Sequence, residues 1–136
     1  MAYSHLFADS DILLDLLLDR NPLYTQILLY ETEKRGLKLS TSTLVIANIY
    51  YILSKVTGAA NAKAQIGKLL NILNILPVES EAITLALQSN FKDFEDGVQY
   101  FVAKKYLCHV IITRNIKDYK YSEIPVLTAQ DFLKTL

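Results

Sequence analysis

The sequence predicts an α/β fold with a mainly parallel sheet, on three observations. Short β-like runs alternate with longer helical ones along the chain. The clearest of the short runs, Val110-Ile111-Ile112, is wholly apolar, as a buried strand must be. Two polar clusters, Asp9-Ser10-Asp11 and Thr113-Arg114-Asn115, stand where such runs stop. Open α/β sheets bind ligands beyond the carboxyl ends of their strands, so these clusters mark a candidate site.

Taken in order, His5 to Ala8 reads as a first strand, followed by a helix with Ile12, Leu13, Leu16 and Leu17 on one face. Asn21-Pro22 breaks that helix and opens a second, because proline is tolerated at a first helical position. The second helix runs to about Arg35 and stops at Gly36. Leu37 to Ser40 is a short strand. Thr43 to about Lys55 reads as a helix despite its β-branched residues, Gly58 interrupts, and Ala60 to Leu73 forms another. Leu76-Pro77-Val78 is a short strand, and Ser80 caps a helix that turns Ile83, Ala86 and Leu87 inward. Asp93 starts a helix to about Leu107, Val110-Ile112 follows, and Pro125-Val126-Leu127 is a last strand before a helix capped by Thr128.

The 136 residues suit one compact domain, 1–136, with no linker or repeat. A chain of that length buries roughly 70% of its unfolded surface and needs no covalent staples. Lysine plus arginine number 14, as do aspartate plus glutamate, so any attraction for nucleic acid must be local rather than global. The single cysteine, Cys108, excludes an intrachain disulfide and fits a cytoplasmic setting, where it reads as a buried core thiol. No signal peptide or membrane span is read. With 51% hydrophobic residues, apolar surface is expected to remain for a partner, and a homodimer is expected.

Several polar residues carry a functional and a structural reading side by side. Asp9 ends the first strand and reads either as an oxygen ligand for Mg²⁺ or Mn²⁺ or as a helix cap. Ser10 is an equally good cap, which leaves Asp9 free. Asp11, Asp15 and Asp19 share a helix face and read as a solvated acidic stripe, with Asp11 also close to any site at Asp9. Asn48 is the one strongly polar side chain in the apolar run Leu44 to Leu53, so it reads as a buried amide that needs partners. Asp93 is a natural N-cap that places Asp96 at the third helical position, where a carboxylate suits the positive helix end. Several carboxylates brought together would repel one another, and a cation would relieve them. After the best strand, Thr113 offers a hydroxyl, and Asn115 or Asp118 an oxygen for a metal. Lys104, Lys105, Arg114 and Lys117 offer positive charge for phosphate. His5 and His109 lack zinc-site neighbours, and no glycine-rich phosphate loop occurs.

The order of these signals resembles the PIN domain family. Asp9-Ser10-Asp11 resembles its opening motif, Ser42 to Asn48 its second, Asp93-Phe94-Glu95-Asp96 its third and Val110 to Tyr119 its fourth. Ile124 to Thr128 with Phe132-Leu133 also resembles the family's ending, so the likeness covers nearly the whole chain. It implies a three-layer sandwich with a parallel sheet between helices and an acidic pocket holding Mg²⁺ or Mn²⁺. Asp9, Asp96 and Asp118 map to its metal-binding positions, with Asn115 the alternative to Asp118 and Thr113 a supporting hydroxyl. Many compact members are VapC-type ribonuclease toxins restrained by a small antitoxin protein. The resemblance therefore implies hydrolysis of RNA phosphodiesters by metal-activated water.

One departure stands out: the family's second motif usually ends in Glu, and Asn48 occupies that place. An amide supplies oxygen without charge, so Asp93, Glu95 or Asp11 would have to compensate. A catalytically weakened PIN fold that only binds RNA or protein is the alternative. A haloacid dehalogenase-type phosphatase also begins Asp-x-Asp, but its downstream Lys and Asp-Asp pair have no counterpart here.

Overall fold

The computed structural model describes residues 3–136. Its strands are β1 (His5–Ala8), β2 (Lys38–Ser42), β3 (Asn74–Leu76), β4 (Val110–Ile112) and β5 (Val126–Leu127). All pair in parallel in the order β3-β2-β1-β4-β5. The helices are α1 (Ser10–Leu17), α2 (Leu23–Lys34), α3 (Thr43–Thr57), α4 (Ala59–Leu69), α5 (Ser80–Gln88), α6 (Phe94–Lys105) and α7 (Ala129–Leu133). A single 3₁₀ turn, Ile116–Tyr119, follows β4.

Successive strand residues face opposite sides, and that alternation divides the core in two. Leu6, Ala8, Val110 and Ile112 pack with Leu13, Leu28, Val45, Ile49 and Phe132 of the helices on one face. Phe7 and Ile111 pack on the other with Ala82, Ala86, Val98, Val102 and Tyr119. The expected three layers are therefore present. A strand covered on both faces has no place for alternating polar residues, which explains the apolar β1 and β4.

β2 reaches two residues beyond the expected Ser40, because its buried hydroxyls find partners. Ser40 Oγ meets His5 Nε2 at 2.7 Å and accepts from Asn74 Nδ2, and Thr41 donates to the Ala8 carbonyl at 2.8 Å. Ser42 donates to Gln99 Oε1 and caps α3 by accepting from the Val45 N–H. β3 lies two residues earlier than expected, at Asn74–Leu76, ahead of Pro77. Proline has no N–H to give a sheet ladder.

The expected faces of α5 and α3 need correction. Ala82 and Ala86 point inward on α5, whereas Ile83 is 41% and Leu87 72% exposed. Ser80 is the first helical residue, and Glu79 stands at the cap without a side-chain bond to the helix N-terminus. Small residues face inward because α6 approaches closely: a Cβ on Gly97 would lie 3.3 Å from the Cβ atoms of both Ala86 and Phe91. We expect Gly97→Val to force α5 and α6 apart and lower stability by about 1–3 kcal/mol in chemical denaturation. An unchanged midpoint would show that the contact is slack. α3 buries only Val45, Ile49 and Leu53, and it exposes Tyr51 and Val56. It is a one-sided helix, so Asn48 is half-buried rather than enclosed.

Candidate active site

The carboxyl ends of β1 and β4 adjoin, because Ala8 pairs with Ile112. The Asp9 N–H continues the ladder by donating to the Ile112 carbonyl at 3.0 Å. Asp9 and Thr113, 104 residues apart in sequence, are thereby set side by side. Thr113 Oγ lies 3.1 Å from Asp9 Oδ2 and 3.2 Å from Asp11 Oδ2. It has one proton, so it donates to one carboxylate at a time.

Asp9, rather than Ser10, caps α1: its Oδ1 accepts from the Ser10 N–H at 2.8 Å. The cap occupies one oxygen and leaves Oδ2 for the site. Tyr119 reaches that oxygen from below, donating its hydroxyl at 3.0 Å. Asp11 Oδ2 accepts from the Arg114 N–H at 3.0 Å and from Asn115 Nδ2 at 3.2 Å. The other Asp11 oxygen is buried without a partner. Asp11 thus positions the loop after β4, while one of its oxygens stays unsatisfied.

Asp96 comes in from α6, where Asp93 caps the helix as expected by accepting the Asp96 N–H at 3.0 Å. Burial, with the charges of Asp9, Asp93, Asp118 and Asp11, pushes the Asp96 carboxyl up to about 7. Asp9 is raised to about 6 by burial and by Asp11, against the opposing bonds from Ser10, Tyr119 and Thr113. Asp11 is also raised, chiefly by burial. Three helices and strands therefore deliver carboxyls into one field whose negative charge is under-compensated.

The remaining candidates take different places. Asp118 is exposed on the 3₁₀ turn and acts on Asp96 through space. Asn115 donates its Nδ2 to Asp11 Oδ2 at 3.2 Å. Asn48 Nδ2 donates to Glu95 Oε2 at 3.0 Å, tethering a carboxylate of α6 beside the position where the resemblance leads one to look for a glutamate.

Asp15 is not part of a solvated stripe. It is 6% exposed, and its Oδ2 lies 3.0 Å from Arg114 Nε, with Arg20 at 3.7 Å from Oδ1. Arg114 is thus committed to a carboxylate. Lys104 pairs with Glu123 at 2.7 Å and Lys105 with Glu79 at 2.9 Å. Each of these three cations has a local carboxylate partner, whereas Lys117 is in no ion pair among the described residues. Sequence reasoning gave no role to Tyr119 or to the Ser42–Gln99 pair. The only local signal for Tyr119 was a large aromatic inside a polar loop.

Cys108 is buried, and burial pushes its thiol up to about 12, in keeping with an inert core residue. His109 Nδ1 accepts the N–H groups of Ser4 and His5 at 3.1 Å each, a structural use.

These acidic ends of a parallel sheet define the class of protein. The PIN domain family profile matches residues 5–117, and the chain belongs to that family. It is 32% identical over 133 residues to Ribonuclease VapC1 of Aquifex aeolicus, covering 93% of this chain and 91% of that protein. Among solved structures it resembles a DNA-bound VapBC from Salmonella typhimurium, with TM-score 0.73, 12% identity and 95% and 99% of the two chains covered. It also resembles a toxin-antitoxin complex from Klebsiella pneumoniae, with TM-score 0.67, 22% identity and 93% and 98% covered. Family membership removes the phosphatase reading of Asp9-Ser10-Asp11.

Proposed function

We propose that this protein is a metal-dependent endoribonuclease and the toxin of a toxin–antitoxin pair, acting in the cytoplasm. The observation that carries the reading is the convergence of Asp9, Asp11 and Asp96 at the sheet's carboxyl edge, with all three proton affinities raised by burial and those of Asp9 and Asp96 raised further by neighbouring carboxylates. Kinship with a ribonuclease at 32% identity supports the same chemistry.

The donor set fits Mg²⁺ or Mn²⁺. All candidate ligands are hard oxygens, and one buried Asp11 oxygen lacks a partner. Among the described residues no three acidic, histidine or cysteine side chains already stand in ligating positions. Mg²⁺ usually keeps several waters and takes one or two carboxylates plus substrate phosphate. Asp9 and Asp96 would hold the ion, with Asp118 at the margin. When bound, it would supply positive charge to the scissile phosphate and lower the pKa of a coordinated water.

The chain's own residues do the positioning. Tyr119 and Thr113 fix the Asp9 carboxylate, which cannot rotate without losing its cap on α1. Asn115 and the Arg114 N–H fix Asp11, and the Asp15–Arg114 pair pins the loop from outside. Glu95, tethered by Asn48, adds a charge that Asn48 itself does not bring. Leu23 and Tyr30 of α2, with Tyr51 and Val56 of α3, are exposed apolar residues that an antitoxin or a second copy would cover.

The test is a fluorescence-quenched RNA with Mg²⁺ or Mn²⁺, beside EDTA and an Asp9→Asn control. Cleavage is expected with metal and is expected to vanish in both controls. Intact folding with RNA binding but no cleavage would favour the second reading, a weakened PIN fold that only binds. The observation behind that reading is the uncharged Asn48.

A further inference from the structure

Of the expected phosphate-binding cations, Arg114, Lys104 and Lys105 have local carboxylate partners, and Lys117 has none among the described residues. A groove of about 440 Å³ is lined by Lys92, Asp93, Lys117, Asp118, Lys120 and Tyr121. Its two carboxylates are ones whose charge acts on Asp96, so the groove adjoins the acidic site. Its three lysines are exposed and form no ion pair among the described residues.

Local geometry explains the clustering. Tyr119 is buried beneath Asp9, which anchors the 3₁₀ turn and turns its neighbours outward. Side chains three apart eclipse in such a turn, so Lys117 and Lys120 share a face. Tyr121 follows, 47% exposed, its ring 6.2 Å from that of Phe91 and 5.1 Å from Lys120 Nζ. Phe91 meets the ring edge to face, and the Lys120 ammonium lies over it, so a base stacked on Tyr121 would share the ring with that cation. Lysines spaced along a groove beside an aromatic platform match the needs of a single strand, whose phosphates alternate with unpaired bases.

The geometry points to this groove as the substrate track: Lys92, Lys117 and Lys120 hold the phosphates of single-stranded RNA, and Tyr121 stacks a base. The strand then leads its next phosphodiester to Asp9 and Asp96. This rests on the ribonuclease reading above, but binding and cleavage are separable.

Binding of a fluorescein-labelled single-stranded RNA is to be measured by anisotropy in Mg²⁺ over a salt series. The full chain carries Asp96→Asn, to suppress cleavage. Adding Lys92→Ala, Lys117→Ala and Lys120→Ala together is expected to weaken binding at least tenfold. It should also lower the slope of log affinity against log salt by about 2, since each phosphate contact to a single strand contributes roughly 0.7. Tyr121→Ala is expected to weaken binding roughly tenfold with the salt slope unchanged. Lys63→Ala with Lys68→Ala, exposed lysines of α4 outside the groove, should change neither quantity. In the otherwise wild-type chain the triple variant should raise KM while kcat at saturation holds. Wild-type affinity and slope in the triple variant, losses matched by the α4 control, or no RNA binding at all would overturn the groove assignment. RNA held through the groove but not cut by the wild-type chain would leave the groove standing and reject the ribonuclease reading.

Discussion

Asp96→Asn is expected to reduce metal-dependent RNA cleavage at least about a hundredfold while making the metal-free protein more stable at pH 8. The activity loss follows from removing one of the two carboxylates proposed to hold the ion. Losing even an outer partner of a metal ligand typically costs about 10–100-fold. The stability gain follows from proton linkage. Asp96 is raised from its ordinary value of 3.8 to about 7, so between those values the folded protein binds more protons than the unfolded chain. Stability from this group is therefore greatest below pH 4 and is lost as pH rises through 7. Asp9, raised to about 6, acts in the same direction. The metal-free wild-type melting temperature should fall between pH 5 and 8, and the variant's should fall less. Mg²⁺ should restore the wild type at pH 8 more than at pH 5. Parallel melting curves for the two proteins across this range would contradict the electrostatic account of the pocket.

Thr113→Val is the second large effect. The residue is fully buried and the change nearly preserves volume, so packing is a minor issue. What disappears is a hydroxyl that donates to Asp9 or Asp11 and accepts the Asn115 N–H at 3.1 Å. Two carboxylates lose their shared donor, and a backbone donor loses its acceptor. We expect a loss of about 2–3 kcal/mol in urea denaturation, the range for hydrogen bonds to charged groups. Cleavage should fall roughly 10–100-fold as Asp9 loses orientation. Thr113→Ser should recover most of both, because it returns the hydroxyl. Failure of serine to rescue would mean that the methyl group, not the hydroxyl, holds the site together.

What could be read from sequence depended on whether its cause was local. β1, β4, the Asp93 cap and the Thr128 cap are decided by a few neighbouring residues, and each stands where expected. The polar strand Ser40-Thr41-Ser42 is hard to read in full because its partners lie on distant segments, at Ala8, Asn74 and Gln99. Asp15 looked solvated because its partner Arg114 is nearly a hundred residues away. α5 was turned to the wrong face because hydrophobicity favours burying Ile83 and Leu87, whereas the close approach at Gly97 admits only alanine. In the site, the placement of Asp9, Asp11 and Asp96 near strand and helix ends was legible from motif order. Tyr119 was not, since a tyrosine in a loop does not reveal whether its hydroxyl turns inward.

The strand order bears on how the chain emerges during synthesis. β1 is central, yet one of its two neighbours is β4, whose first residue is Val110. With every strand parallel, no hairpin can form early, and each pairing must close a long loop. Asp9 is translated at the outset, but Asp96 follows only 87 residues later (96 − 9), and Thr113 and Tyr119 follow after Asp96. The acidic pocket is consequently a late product of synthesis, assembled only after β4 and its following turn have left the ribosome.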